Sequence, residues 1–305
     1  MARAMRPGER AILWAIWFVV RALGGLSLPA RVSVSRCLGR LLFRLDAKHR
    51  RIALDNLDRA FGDAWSRQDI QQCAEAVFVS LFRLVLEVAW AMRTPPKVMA
   101  KRFRIYGLHH FTAAHRQGRG VLVLTGHYGP WELLPQAAGL VGLPVSVVYR
   151  PLDFAPLESL FEQVRSRFGA EMVTAKGAVR EVVRRLRRRE NVTLLMDQNV
   201  DWYEGVFVDF FGHRACSNKS LALLAMRTGA PVVPVYLSLE RDGGFRVDFA
   251  PVVPTQRTGD KQRDVEENTL AYNRVLEGFI RQRPDQWFWV HQRWKTRPHC
   301  PWPRG

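Results

Sequence analysis

From residue 120 onward, short apolar runs alternate with stretches of helical period. The run VLVL at 121–124 is continuous, as in a strand buried on both faces, and VSVVY at 145–149, VTLLM at 192–196 and PVVPVYL at 231–237 read as further short apolar strands. Helical spacing occupies 130–141, 156–168, 177–189 and 218–228. This alternation predicts an α/β fold, a mainly parallel central sheet flanked by helices on both faces. The first strand, 120–125, ends at Thr125-Gly126, and Pro130 suits the first position of the helix that follows, where its missing N–H is no loss.

Upstream the period is helical only. Residues 38–61 and 66–92 read as amphipathic helices, the second opened by Ser66-x-x-Asp69, a variant of the capping box. Thr94-Pro95-Pro96 stops it. Residues 11–20, AILWAIWFVV, follow Arg3, Arg6 and Arg10 and are closed by Arg21. A spanning helix needs about 20 apolar residues. The run therefore fits an interfacial segment, a signal-peptide core or a packing helix. Trp14 and Trp17 suit the headgroup boundary, and a monotopic anchor with its arginines near anionic lipid is the expected form. The chain divides into a membrane-associating segment, 1–30, and a single domain, 31–305, helical over 31–95 and α/β over 100–305.

Charge narrows the partners. A formal charge of +18 over 305 residues calls for an anionic partner: nucleic acid, a lipid surface or an acidic protein. No nucleic-acid motif is recognisable, and nucleic acid is not the expected partner. Cys37, Cys73, Cys216 and Cys300 are scattered, without the spacing of a zinc site or a disulfide framework.

The candidate chemistry lies in GVLVLTGHYGPWELL, residues 120–134. His127 falls in the turn after a buried strand and Glu132 one helical turn later, where open α/β sheets place ligands. A neutral imidazole takes a proton from an alcohol near pH 7 if a carboxylate holds its tautomer, and Glu132 is the expected orienting group. Taken alone, the pair also fits a surface histidine beside a helix-start glutamate. Arg150 should share the same sheet edge and hold a phosphate or steady an oxyanion together with the turn N–H groups, Gly129 included. Asp197 and Gln198 close the strand 192–196 and face substrate or Arg150. Phe211, Gly212 and Ser217 precede the helix 218–228, whose start suits an anion. The run 176–189 is strongly basic, and Trp287, Trp289 and Trp294 alternate with Arg293, Lys295 and Arg297 in a pattern of membrane or nucleic-acid contact.

GHYGPWE resembles the His-x4-Asp/Glu signature of the glycerolipid acyltransferase superfamily, in particular the lipid A late acyltransferases, which often carry Gly-His-x-Gly-Asn-Trp-Glu. Pro130 stands where that pattern commonly has Asn. VYRPL at 148–152, MDQN at 196–199, FFG at 210–212, LALLA at 221–225, APVVPV at 230–235 and QWFW at 286–289 follow in the same order. The resemblance implies an O-acyltransferase at the cytoplasmic face of the inner membrane. It would move an acyl group from acyl carrier protein, or acyl-CoA, to a hydroxyl of an anionic lipid A precursor, without metal or redox cofactor. The block around Phe211, Gly212 and Ser217 would then shape the acceptor or phosphate pocket. The alternatives are another membrane glycerolipid or phosphatidylinositol mannoside acyltransferase, and a basic membrane- or nucleic-acid-binding protein without catalysis.

Overall fold

The computed structural model describes residues 6–298; Arg3 and Cys300 lie outside them. The chain begins with five helices, α1 (Pro7–Gly24), α2 (Leu28–Leu45), α3 (Ala47–Phe61), α4 (Arg67–Arg93) and α5 (Pro96–Ala100). Then come β1 (Phe103–Tyr106), α6 (Leu108–His115), β2 (Val121–Thr125), a 3-10 turn at Trp131–Leu133, α7 (Leu134–Leu140), β3 (Val145–Tyr149), α8 (Ala155–Ser166), β4 (Glu171–Thr174), α9 (Ala178–Arg187) and β5 (Asn191–Leu195). A hairpin, β6 (Gly205–Phe210) and β7 (His213–Asn218), leads to α10 (Ser220–Thr228), β8 (Val232–Leu239), β9 (Phe245–Phe249) and α11 (Lys261–Gln282).

The predicted strands form the middle of a seven-stranded sheet of order β1-β9-β8-β2-β5-β3-β4. All neighbours are parallel except β8 and β9. β2 lies deep in this order and all five of its residues are buried, which is why its sequence is apolar without alternation. The outlying strands β1, β4 and β9 were not expected, because four or five residues with an exposed face carry too little apolar signal. α4, α6 and α7 cover one face of the sheet, and α9, α10 and α11 the other.

Several elements depart from expectation. The single helix expected over 38–61 is two, because Asp46 caps the next helix, accepting from the His49 backbone N–H at 3.0 Å. The capping box at Ser66 and Asp69 is present. α1 and α2 meet at a bend of 120°, and no single described helix is long and apolar enough to cross a membrane. α2 lies tightly on α4: a Cβ on Gly39 would come within 2.5 Å of the Val79 Cα. A buried carboxylate fastens this layer. Glu87, on α4, is fully buried and meets Arg31 Nε at 3.1 Å, Arg83 Nε at 2.7 Å and Arg102 Nη1 at 2.9 Å.

The tryptophan-rich C-terminal stretch is core rather than a surface for membrane or nucleic acid. Trp287, Trp289 and Trp294 are buried, and Arg293 stacks on Phe210 while donating to the Cys216 carbonyl. Aromatic rings with one polar tip satisfy both readings in sequence, and only the packing separates them.

Candidate active site

His127 sits just past the C-terminal end of β2, and the end of β5 brings Asp197 beside it. Parallel neighbours in register deliver residues from distant parts of the chain to one edge. The imidazole Nδ1 lies 2.8 Å from Asp197 Oδ1, while the His127 backbone N–H donates to Oδ2 at 2.7 Å. Trp287 Nε1 donates to the same Oδ2 at 2.8 Å. A carboxylate accepts only, so Nδ1 carries the proton and Nε2 is the basic nitrogen. Nε2 lies 3.4 Å from the Gln198 amide nitrogen.

Burial works against the imidazolium, but the Asp197 carboxylate outweighs it and leaves the His127 pKa above its ordinary value of 6.5. Burial likewise works against ionised Asp197, yet His127 and the donors around it hold its carboxyl down to about 2. The aspartate is therefore a fixed negative charge beneath the histidine.

Glu132, expected to orient the ring, does something else. Its two oxygens accept a bidentate pair from Arg165, Nε to Oε2 and Nη2 to Oε1, both at 2.7 Å, and Oε1 also receives Trp131 Nε1 at 3.1 Å. The reason is local geometry. Trp131–Leu133 turn as a 3-10 helix rather than starting an α-helix at Pro130, and Glu132 is aimed at α8. Arg165 was not foreseen; one arginine on an amphipathic helix carries no signal in sequence.

Three of the turn N–H groups, Gly129 included, are engaged within the protein. His127 N–H is taken by Asp197, Tyr128 N–H donates to the Gly126 carbonyl at 2.8 Å, and Gly129 N–H to the Gln286 carbonyl at 2.8 Å. Gly129 has φ of +59°, and a Cβ there would lie 2.1 Å from the Leu237 carbonyl oxygen. Its role is to let the turn pack against β8, not to open a donor.

Arg150 is exposed at the end of β3 and lines the mouth of a cavity of about 730 Å³ that also touches His127, Glu132, Arg165 and Gln198. Asp197 holds His127 and does not pair with Arg150. Phe211, Gly212 and Ser217 lie elsewhere. Phe211 and Gly212 form the two-residue loop of the β6–β7 hairpin, both with positive φ, and Phe211 packs against Phe61 and Trp289. Ser217 is buried, its hydroxyl accepting from Arg293 and from Asn273 at 2.5 and 3.0 Å. Asn218 and Ser220, next along, are the residues of this stretch that reach the cavity.

The site thus joins a basic nitrogen, backed by a buried carboxylate, to a large and mainly apolar cavity, an arrangement able to accept a proton from a group bound there. The chain belongs to the bacterial lipid A biosynthesis acyltransferases, whose family pattern it matches over residues 2–296; it is an acyltransferase. Relatives include a lipid A biosynthesis lauroyltransferase of Escherichia coli, 27% identical over 93% of this chain and 90% of the relative. A palmitoleoyltransferase of the same organism is 26% identical over 93% and 92%. A lipid A biosynthesis acyltransferase of Haemophilus influenzae is 24% identical over 93% and 88%.

Proposed function

We propose that this chain transfers a fatty acyl group from an acyl carrier protein thioester to a hydroxyl of a lipid A precursor, forming an acyloxyacyl ester. The observation that carries the reading is the bond between His127 Nδ1 and Asp197, which leaves Nε2 basic at the cavity. The relatives' roles in lipid A biosynthesis support the acceptor class.

In this mechanism Nε2 takes the hydroxyl proton as the oxygen attacks the thioester carbonyl. Asp197 stabilises the imidazolium that forms. The tetrahedral intermediate collapses with loss of the C–S bond, and the imidazolium returns its proton to the departing thiolate. With the amides of 127, 128 and 129 engaged, the oxyanion falls to cationic side chains at the rim. Arg165, fixed by Glu132 and lining the cavity, and Arg150 at its mouth are the candidates. Glu132 then acts through Arg165, by aiming the guanidinium.

The enzyme works at the cytoplasmic face of the inner membrane in this reading. Trp14 and Phe18 on α1 are 75% and 76% exposed, and Leu41 and Leu45 on α2 are exposed as well. A bent pair of this kind suits a wedge in the headgroup layer, with Arg10 and Arg21 near anionic lipid.

The test is acyl transfer by purified protein in detergent, followed by mass spectrometry, with a lipid A precursor and a panel of acyl carrier protein and coenzyme A thioesters. Addition of one acyl group, lost in His127→Ala, supports the reading. Transfer only to glycerol phosphate or mannoside acceptors overturns the acceptor, and transfer that survives His127→Ala overturns the base.

A further inference from the structure

The cavity straddles the sheet. The strand register sets Val147, Thr193, Val123, Val235, Val247 and Ile105 on one face, and all of them line it. This arm runs beneath α7 and then α6, from β3 to β1, about 24 Å at about 4.8 Å per strand, a length suited to hydrocarbon rather than to a headgroup. Val148, Leu194 and Met196 point to the opposite face and line the cavity too, together with Ala178 and Val182 of α9 and Leu224 of α10. The arms join at the strand ends, where Thr125, His127 and Gln198 stand.

Resting on the acyl-transfer reading, we propose that each arm holds a different hydrocarbon chain: the acceptor's hydroxyacyl chain under α7, and the donor's thioester-linked chain between the sheet and α9. Direct transfer requires both chains at Nε2 at once, and a sheet between them keeps them apart until their reacting ends meet. What surrounds each arm assigns them. The helices over the first arm belong to the membrane-facing side, since α1, with its exposed Trp14 and Phe18, packs on α4 and α8. A lipid acceptor enters there. The second arm lies under α9, whose segment carries exposed Lys176, Arg180, Arg187 and Arg188, none of them paired with a carboxylate among the described residues. That surface complements a small acidic protein bearing the acyl thioester.

The experiment narrows one arm at a time at partly exposed lining positions, Ala138→Phe for the first and Val179→Trp for the second, with melting curves to establish folding. Steady-state transfer is measured with thioesters of graded chain length and with varied acceptor. Val179→Trp should move the preferred donor to shorter chains and leave the acceptor KM within twofold. Ala138→Phe should raise the acceptor KM tenfold or more and leave donor preference unchanged. The enlarging variants Val148→Ala and Val147→Ala should act in the opposite senses, and they decide the matter if a bulky variant fails to fold. Reversed responses overturn the assignment, and equal responses overturn the separation of the chains. A wild-type enzyme that transfers no acyl group at all removes the acyl-transfer reading itself, a result distinct from either.

Discussion

At the residue scale the site depends on which carboxylate touches the histidine. Asp197→Asn keeps the shape but offers an amide where Nδ1–H needs a carboxylate, so kcat/KM should fall by about 10³ to 10⁴. The pH dependence gives the independent check. In the proposed mechanism His127 must be neutral to act, and its pKa is raised, so kcat/KM should rise with pH through a value above 6.5 and then level off. In Asp197→Asn that limb should move to lower pH, because the charge that favours imidazolium is gone. An unmoved limb would falsify the assignment of Nε2 as base. The same carboxylate also contributes to folding. Its pKa is held near 2 against an ordinary 3.8, so its stabilisation is present above about pH 4 and fades as pH falls toward 2.

At the element scale, two junctions hold the histidine turn. Arg165 ties α8 to the 3-10 turn through Glu132, in a pair whose side chains are 17% and 8% exposed. Arg165→Ala leaves Glu132 buried without its partner and should cost about 3 to 5 kcal/mol in a denaturant titration. Arg165→Lys keeps the charge but not the two parallel bonds, and should recover much of the stability and little of the activity. The second junction is Gln286, whose carbonyl accepts from Gly129 while its side chain bonds both the N–H and the carbonyl of Leu239. Gly129→Ala places a methyl against the Leu237 carbonyl and forces the turn off β8. The expected result is loss of activity with a lowered melting temperature; a fully active Gly129→Ala enzyme would show that the turn is not held as described.

At the scale of the whole molecule, the helical layer is bound to the catalytic sheet through Glu87. Glu87→Gln leaves Arg31, Arg83 and Arg102 close together without the charge that offsets them, and a loss of about 3 to 5 kcal/mol is expected, read by thermal and denaturant melts. The outer surface of the same layer has a separate test. Trp14 and Phe18 are each worth roughly 1.5 kcal/mol or more on leaving water, so Trp14→Ser with Phe18→Ser should weaken binding to anionic vesicles at least about a hundredfold. Transfer to a detergent-solubilised acceptor should be unchanged. Unaltered vesicle flotation would count against α1 as the membrane contact.

The sequence by itself determined the sheet's central strands, the helices between them, the Ser66 cap and the position of His127 at a strand end. These follow from local causes: apolar period, turn residues and the end of a buried strand. The short outlying strands, the β6–β7 hairpin and α11 did not emerge, since half-exposed or mixed segments carry weak periodicity. Of the site residues, His127, Asp197, Gln198 and Arg150 were legible as strand-end groups, but their partners were not. Glu132, five residues from His127 in the chain, turns to Arg165, whereas Asp197, seventy residues away, reaches the ring. The tertiary structure alone decided this, because parallel pairing of β2 with β5 sets two strand ends side by side whatever lies between them in sequence. It also decided that the C-terminal tryptophans are core and that the cavity opens onto both faces of the sheet, since burial and void space belong to the packed molecule and not to any local pattern.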